Sequence, residues 1–294
     1  MRIAVLGAGG MLGHTLYRTL SRTHSDVWAI TRKPFSHYAR YDLFDEARFV
    51  SGFEARSVES VTDTLDQVAP DVVLNCIGMT TRKIGGVQAS DVILINSAFP
   101  HWLAEWCQKQ ERSMIHFSTD CVFSGKNGPY APSAARNAQD LYGLSKALGE
   151  VEGEGVLTIR SSIIGLELEG HTELLEWVRS QKNQRVNGFS NVMYSGVTTV
   201  TMANVVEQLI GMNDRPSGIQ QLASDPISKA DLVELASDVL DLGIEVERVS
   251  EPVSNKVLIA SPSFEKAGIQ VPSWRRQLEE VSHDVSQHDS WKAV

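Results

Sequence analysis

Residues 2–20 read RIAVLGAGGMLGHTLYRTL, and this stretch decides the fold. Arg2–Leu6 is a short run of buried-strand composition, and Gly10–Leu20 has the periodicity of an amphipathic helix. Between them Gly7, Gly10 and Gly13 stand three apart. In a strand–turn–helix unit, Gly7 makes the tight turn, Gly10 lets a backbone approach a pyrophosphate, and Gly13 lets the helix pack close to the strand. The helix N-terminus then offers unpaired N–H groups to phosphate oxygens. A glycine-rich turn without a ligand is the alternative. Four glycines within Met1–Gly13 and the lack of a small-residue cleavage site argue for a first strand and against an export signal.

Working outward, the same alternation repeats. Strands are expected at Asp26–Thr31, Asp71–Ile77, Ser113–Ser118 and Val156–Arg160. Helices are expected at Val58–Ala69, within Ala89–Gln110 and at about Asp140–Glu152. Near-continuous apolar strands between helices predict an α/β fold of Rossmann type, a doubly wound parallel sheet covered on both faces. After about Arg160 the rhythm changes. Helices are expected at Leu174–Ser180, Thr199–Ile210 and Ser228–Leu240, with a strand at Gly218–Ala223. The expected division is residues 1–165 as a dinucleotide-binding domain and 166–294 as a smaller, interleaved C-terminal substrate region. Part of about 196–226 is expected to return to the main sheet. Ser282–Ser290 carries two His-Asp pairs and reads as a solvated tail rather than a metal site; no metal is expected.

Composition narrows the function. The 294 residues are 42% hydrophobic and 21% charged, which suits a chain with a real core. The net charge of −9 argues against a general nucleic-acid or anionic-membrane binder. No apolar stretch reaches membrane-spanning length. The three cysteines Cys76, Cys107 and Cys121 form no C-x-x-C pair, which suits a reducing cytoplasm.

The second strand ends Ala29-Ile30-Thr31-Arg32-Lys33 without a carboxylate. A carboxylate there would accept from the ribose 2′-OH of NAD, whereas Arg32 can grip a 2′-phosphate. The reading favours NADPH, with NADH as the alternative. Asp42, followed by Leu43, is placed to accept from the adenine amine. Tyr142 and Lys146 stand at i and i+4 of a helix and share a face. A neighbouring ammonium is expected to lower the phenol pKa, so that Tyr142 delivers a proton to a carbonyl oxygen as hydride reaches carbon. Thr119, 23 residues earlier at the end of a parallel strand, can donate to the same oxygen. Asn96 is a candidate for holding a water or backbone group near Lys146.

The chain resembles an extended short-chain dehydrogenase/reductase of the dTDP-4-dehydrorhamnose reductase type. The matching pieces are GAGGMLG at 7–13, NCIG at 75–78, Asn96, STDCVFSG at 118–125, DLYGLSKALGE at 140–150, RSSIIG at 160–165 and SGVTTVTMANVV at 195–206. The resemblance implies NADPH-dependent reduction of a nucleotide-linked 4-keto-6-deoxy sugar, in deoxysugar or surface-polysaccharide synthesis. It makes Tyr142 the proton donor, Lys146 the residue that binds the nicotinamide ribose, and Thr119 the one that orients the carbonyl. The expected cofactor contacts are Gly7, Gly10, Met11, Leu12, Thr31, Arg32, Asp42, Leu43, Cys76, Ile77, Gly78, Asn96, Ser118, Tyr142, Lys146 and Ser162. The expected substrate contacts are Thr80, Asp120, Cys121, Val122 and Trp177. A homodimer is a family-level expectation.

Two departures bear on the sugar. The family carries an aromatic where this chain has Cys121, and a Trp in the segment where it has Ser162-Ile163-Ile164. Trp177 and Tyr194 are candidates for replacement stacking, with the core as their alternative place. Arg82 and Lys83 meet a diphosphate or belong to plain surface. A nucleotide-sugar epimerase and a non-catalytic NADP-binding regulatory subunit are the competing functions. A dehydratase is disfavoured, because Cys121 stands where those enzymes resemble one another in carrying a Glu base.

Overall fold

The computed structural model describes residues 1–80 and 86–292. Its centre is a parallel sheet of β1 (Ile3–Leu6), β2 (Val27–Ile30), β3 (Phe49–Val50), β4 (Val72–Asn75), β5 (Ser113–Ser118), β6 (Val156–Arg160) and the strand Gly218–Gln221. In space the order is Gly218–Gln221, β6, β5, β4, β1, β2, β3. The chain runs outward from β1 to β3, then crosses back to β4 beside β1. That reversal opens a crevice beyond the carboxyl ends of β1 and β4, where doubly wound sheets bind ligands. This is the doubly wound Rossmann-type α/β fold that the alternating pattern predicts.

The strands are apolar throughout because both faces are covered. Ile3, Ala4, Val5 and Leu6 are all fully buried. On one face, Val5 and Leu74 pack with Leu16 of the helix Met11–Leu20 and with Met202 and Val206 of the helix Thr199–Ile210. On the other, Ala4 and Val73 pack with Leu65 of Val58–Val68 and Leu103 of Phe99–Lys109. Several helix starts are fixed by side-chain caps: Ser57 on Ser60 N–H, Asp140 on Gly143 N–H and Thr198 on Thr201 N–H.

The long helix expected within Ala89–Gln110 is interrupted. Residues Leu94–Ala98 form a π-turn between Ala89–Ile93 and Phe99–Lys109. Pro100 supplies the reason. It has no N–H for the carbonyl of Asn96, so the ladder must bulge there. The freed Asn96 carbonyl lies against Gly149, where an added Cβ would stand 1.8 Å from it.

Beyond Arg160 three small sheets form around a second core. Ile163–Ile164 pairs with Val197–Thr198, and Arg185–Phe189 pairs with Glu245–Val249. Val192–Tyr194 pairs with Ile227–Ser228 and Ser254–Asn255. Leu175, Tyr194, Leu232, Trp274 and Leu278 are buried in this core, and Trp177 packs on it.

The C-terminal segment corrects the expectation of a solvated tail. Trp274–Lys292 is a helix whose Trp274, Leu278, Val281, His288 and Trp291 are buried. With the partly buried Val285 these positions recur every three or four residues, so they form one stripe. The stripe reaches back to the first helix: the Nε2 atoms of His14 and His288 are 3.4 Å apart, and Trp291 packs edge-on against Tyr41. No helix among the described residues is long and apolar enough to cross a membrane.

Candidate active site

A cleft of about 720 Å³ opens at the crevice. Its floor is the turn after β1, with Gly7, Gly9, Gly10, Met11 and Leu12. Gly7 has φ +78°, which an L side chain rarely adopts, and a Cβ on Gly13 would lie 2.2 Å from the Gly7 carbonyl oxygen. The helix that starts at Met11 has no side-chain cap and no acid in its first turn. Its end therefore suits the pyrophosphate of a dinucleotide. Thr31, Arg32 and Lys33 line the cleft at one side, and Cys76, Ile77, Gly78, Met79 and Thr80 line its wall.

The chemistry-bearing groups meet at the end of β5. Thr119 is buried; its hydroxyl donates to Asp120 Oδ1 at 3.1 Å and accepts from Cys121 N–H at 3.1 Å. Tyr142, from the helix Leu141–Leu148, lines the cleft beside Thr119. Burial pushes the Tyr142 phenol well above its ordinary range, the neighbouring Cys121 and Asp120 act the same way, and the Thr119 hydroxyl opposes them. The expected lowering is thus reversed here, and the phenol holds its proton at neutral pH. Lys146 is buried one turn along and donates to the Phe117 carbonyl at 2.7 Å. Burial lowers its pKa to about 8, against the pull of Glu150.

This helix sits unusually deep. A Cβ on Gly143 would lie 2.3 Å from the Cys121 carbonyl oxygen. Asn96, in the π-turn, accepts from Met79 N–H at 2.8 Å and donates to the Met79 carbonyl at 3.0 Å and to Ser145 Oγ at 3.1 Å. It clamps the loop after β4 to the Tyr142 helix rather than facing the cleft.

Among the residues expected at the site, Gly7, Gly10, Met11, Leu12, Thr31, Arg32, Cys76, Ile77, Gly78, Thr80, Ser118, Thr119, Asp120, Cys121, Tyr142, Lys146 and Ser162 line the cleft. Ser118, however, spends its hydroxyl on Glu150 at 2.7 Å. Asp42, Leu43, Asn96, Val122 and Trp177 do not line it. Asp42 is exposed in a left-handed conformation closing a helical turn, and Leu43 packs on the main core. Val122 and Trp177 belong to hydrophobic clusters, and Tyr194 is buried. Thr80 donates to Glu173 at 3.2 Å. Arg82 and Lys83 lie outside the described residues.

Sequence reading missed part of the lining. Tyr38, Glu167, Glu169 and Glu173 border the cleft. Glu169 accepts from Lys33 Nζ at 2.8 Å, touches His37 Nε2 and stands 3.8 Å from Arg40. Burial works against its charge, but hydrogen bonds from Lys33 and His37 prevail and hold its carboxyl below the usual range. Lys33 and Glu169 are 136 residues apart, and no spacing rule joins them.

Residues 1–165 match the family model described as the RmlD substrate binding domain. The chain is 27% identical to the spore coat polysaccharide biosynthesis protein SpsK of Bacillus subtilis, over 97% of this chain and 98% of that one. It is 24% identical to a dTDP-4-dehydrorhamnose reductase of Mycobacterium tuberculosis, over 91% of this chain and 76% of that one. The crystal structure of a dTDP-4-dehydrorhamnose reductase from Bacillus anthracis in complex with NADP superposes with a TM-score of 0.77 at 17% identity, over 96% of this chain and 99% of that one. That likeness is one of fold.

Proposed function

From the premise that the chain belongs to the RmlD substrate-binding-domain family, we propose that it reduces the C4 carbonyl of a nucleotide-linked 4-keto-6-deoxy sugar with NADPH. The observation that carries the reading is the convergence of Tyr142, Thr119 and Lys146 in the same cleft as the uncapped glycine turn. Residues 1–165 hold most of the cofactor, and 166–294 shape the sugar end and add Glu169 beside Lys33. The three cysteines are free, which supports a cytoplasmic setting.

NADPH, when bound, supplies the hydride that reaches the carbonyl carbon. The carbonyl oxygen then takes up charge, and Tyr142 gives it the phenolic proton. Burial keeps that proton on Tyr142 until the oxygen becomes the stronger base. Thr119, its hydroxyl turned from Asp120 toward the substrate, orients the same oxygen and stabilises the developing alkoxide. Lys146, fixed by the Phe117 carbonyl, binds the nicotinamide ribose and returns a proton to the phenolate.

The test is the purified protein with NADPH and a panel of nucleotide-linked 4-keto-6-deoxy sugars, followed by identification of the product sugar. Loss of NADPH absorbance matched by a reduced sugar is expected. Sugar interconversion with no net NADPH loss would make the protein an epimerase. Cofactor binding without turnover of any sugar would favour the regulatory-subunit reading.

A further inference from the structure

The sequence favoured NADPH because β2 ends without a carboxylate. The fold delivers one there from the other half of the chain. Glu169 borders the same cleft as Arg32 and Lys33, and its carboxylate sits among Lys33, His37 and Arg40. Its backbone is anchored from behind: Leu168 is buried, and its carbonyl accepts from the Tyr41 hydroxyl at 3.1 Å. The Glu169 side chain keeps 29% of its surface open. Arg32 makes no ion pair among the described residues.

A carboxylate in this position acts oppositely on the two ribose chemistries. It accepts from a free 2′-hydroxyl, and it repels a 2′-phosphate while engaging the cations that would bind one. Resting on the reductase reading above, we infer that Glu169 is a specificity-determining residue at the adenosine ribose. It weakens the grip on a 2′-phosphate, so the site accepts NADH alongside NADPH. Arg32 remains the cation free for the phosphate. The discrimination is therefore set by a residue outside the strand that normally carries it.

The test measures dissociation constants by calorimetry for 2′,5′-ADP, 5′-ADP, NADPH and NADH, on the wild-type protein, Glu169→Gln and Glu169→Ala. Both variants are expected to tighten 2′,5′-ADP and NADPH about tenfold, the scale of one partly screened charge contact. 5′-ADP and NADH are expected to hold or weaken. An unshifted NADPH-to-NADH ratio in both variants overturns the inference. So does equal weakening of all four ligands, which would make Glu169 a tie for its loop. A wild-type protein that binds neither dinucleotide overturns the reductase reading and this inference with it. Dinucleotide binding with an unshifted ratio overturns this inference alone.

Discussion

At position 142 burial and the nearby Thr119 hydroxyl pull the phenol in opposite directions, and burial wins. The i, i+4 spacing with Lys146 was readable in the sequence. What it could not show is that the ammonium turns to the Phe117 carbonyl, leaving Thr119 as the contact that draws the phenol down. Replacing Tyr142 with Phe removes the proton and little volume. The expected result is a kcat lower by about 10²–10⁴-fold, with NADPH affinity retained in a direct titration. Lys146 sets a second expectation. Its pKa of about 8 means the ammonium is lost as pH rises through that value. The kcat/KM profile of the free enzyme should fall on its alkaline side near there. A profile flat to well above pH 8 would remove Lys146 charge from the rate.

At the scale of elements, the Tyr142 helix is placed by what its glycines lack. Gly143 rests on the Cys121 carbonyl and Gly149 on the Asn96 carbonyl. Gly143→Ala forces the helix off the strand end that carries Thr119. It is expected to cost about 1–3 kcal/mol in urea unfolding and to lower kcat through the adjacent Tyr142. Loss of stability with unchanged turnover would show that the helix tolerates the shift. Periodicity located this helix and the parallel strands, because an apolar face leaves a period in the sequence. It did not locate the π-turn: Ala89–Gln110 has one helical rhythm, and Pro100 was the overlooked signal. The Glu169 segment was illegible for a different reason. Its partners Lys33 and His37 lie on another element, and only the packed fold brings them together.

The whole molecule stores neutral histidines in its interior. Burial lowers His14 to a pKa of about 4 and His288 further, and it takes His116 well below the ordinary value. The unfolded chain binds these protons more readily, so stability is complete above pH 6.5 and is lost as pH falls toward 4. His14 alone is expected to contribute a slope of about 1.4 kcal/mol per pH unit in that window. Urea titrations between pH 7 and pH 4 should show at least this slope, and His14→Gln should make it shallower by about that amount. An unchanged slope in the variant would mean that His14 is not the group responsible.

The contact between His14 and His288 spans 274 residues. A ribosome therefore releases the glycine turn and the first helix long before it makes the helix that packs on them. Until Trp291 is made, the sides of His14 and Tyr41 that it covers stay open to water.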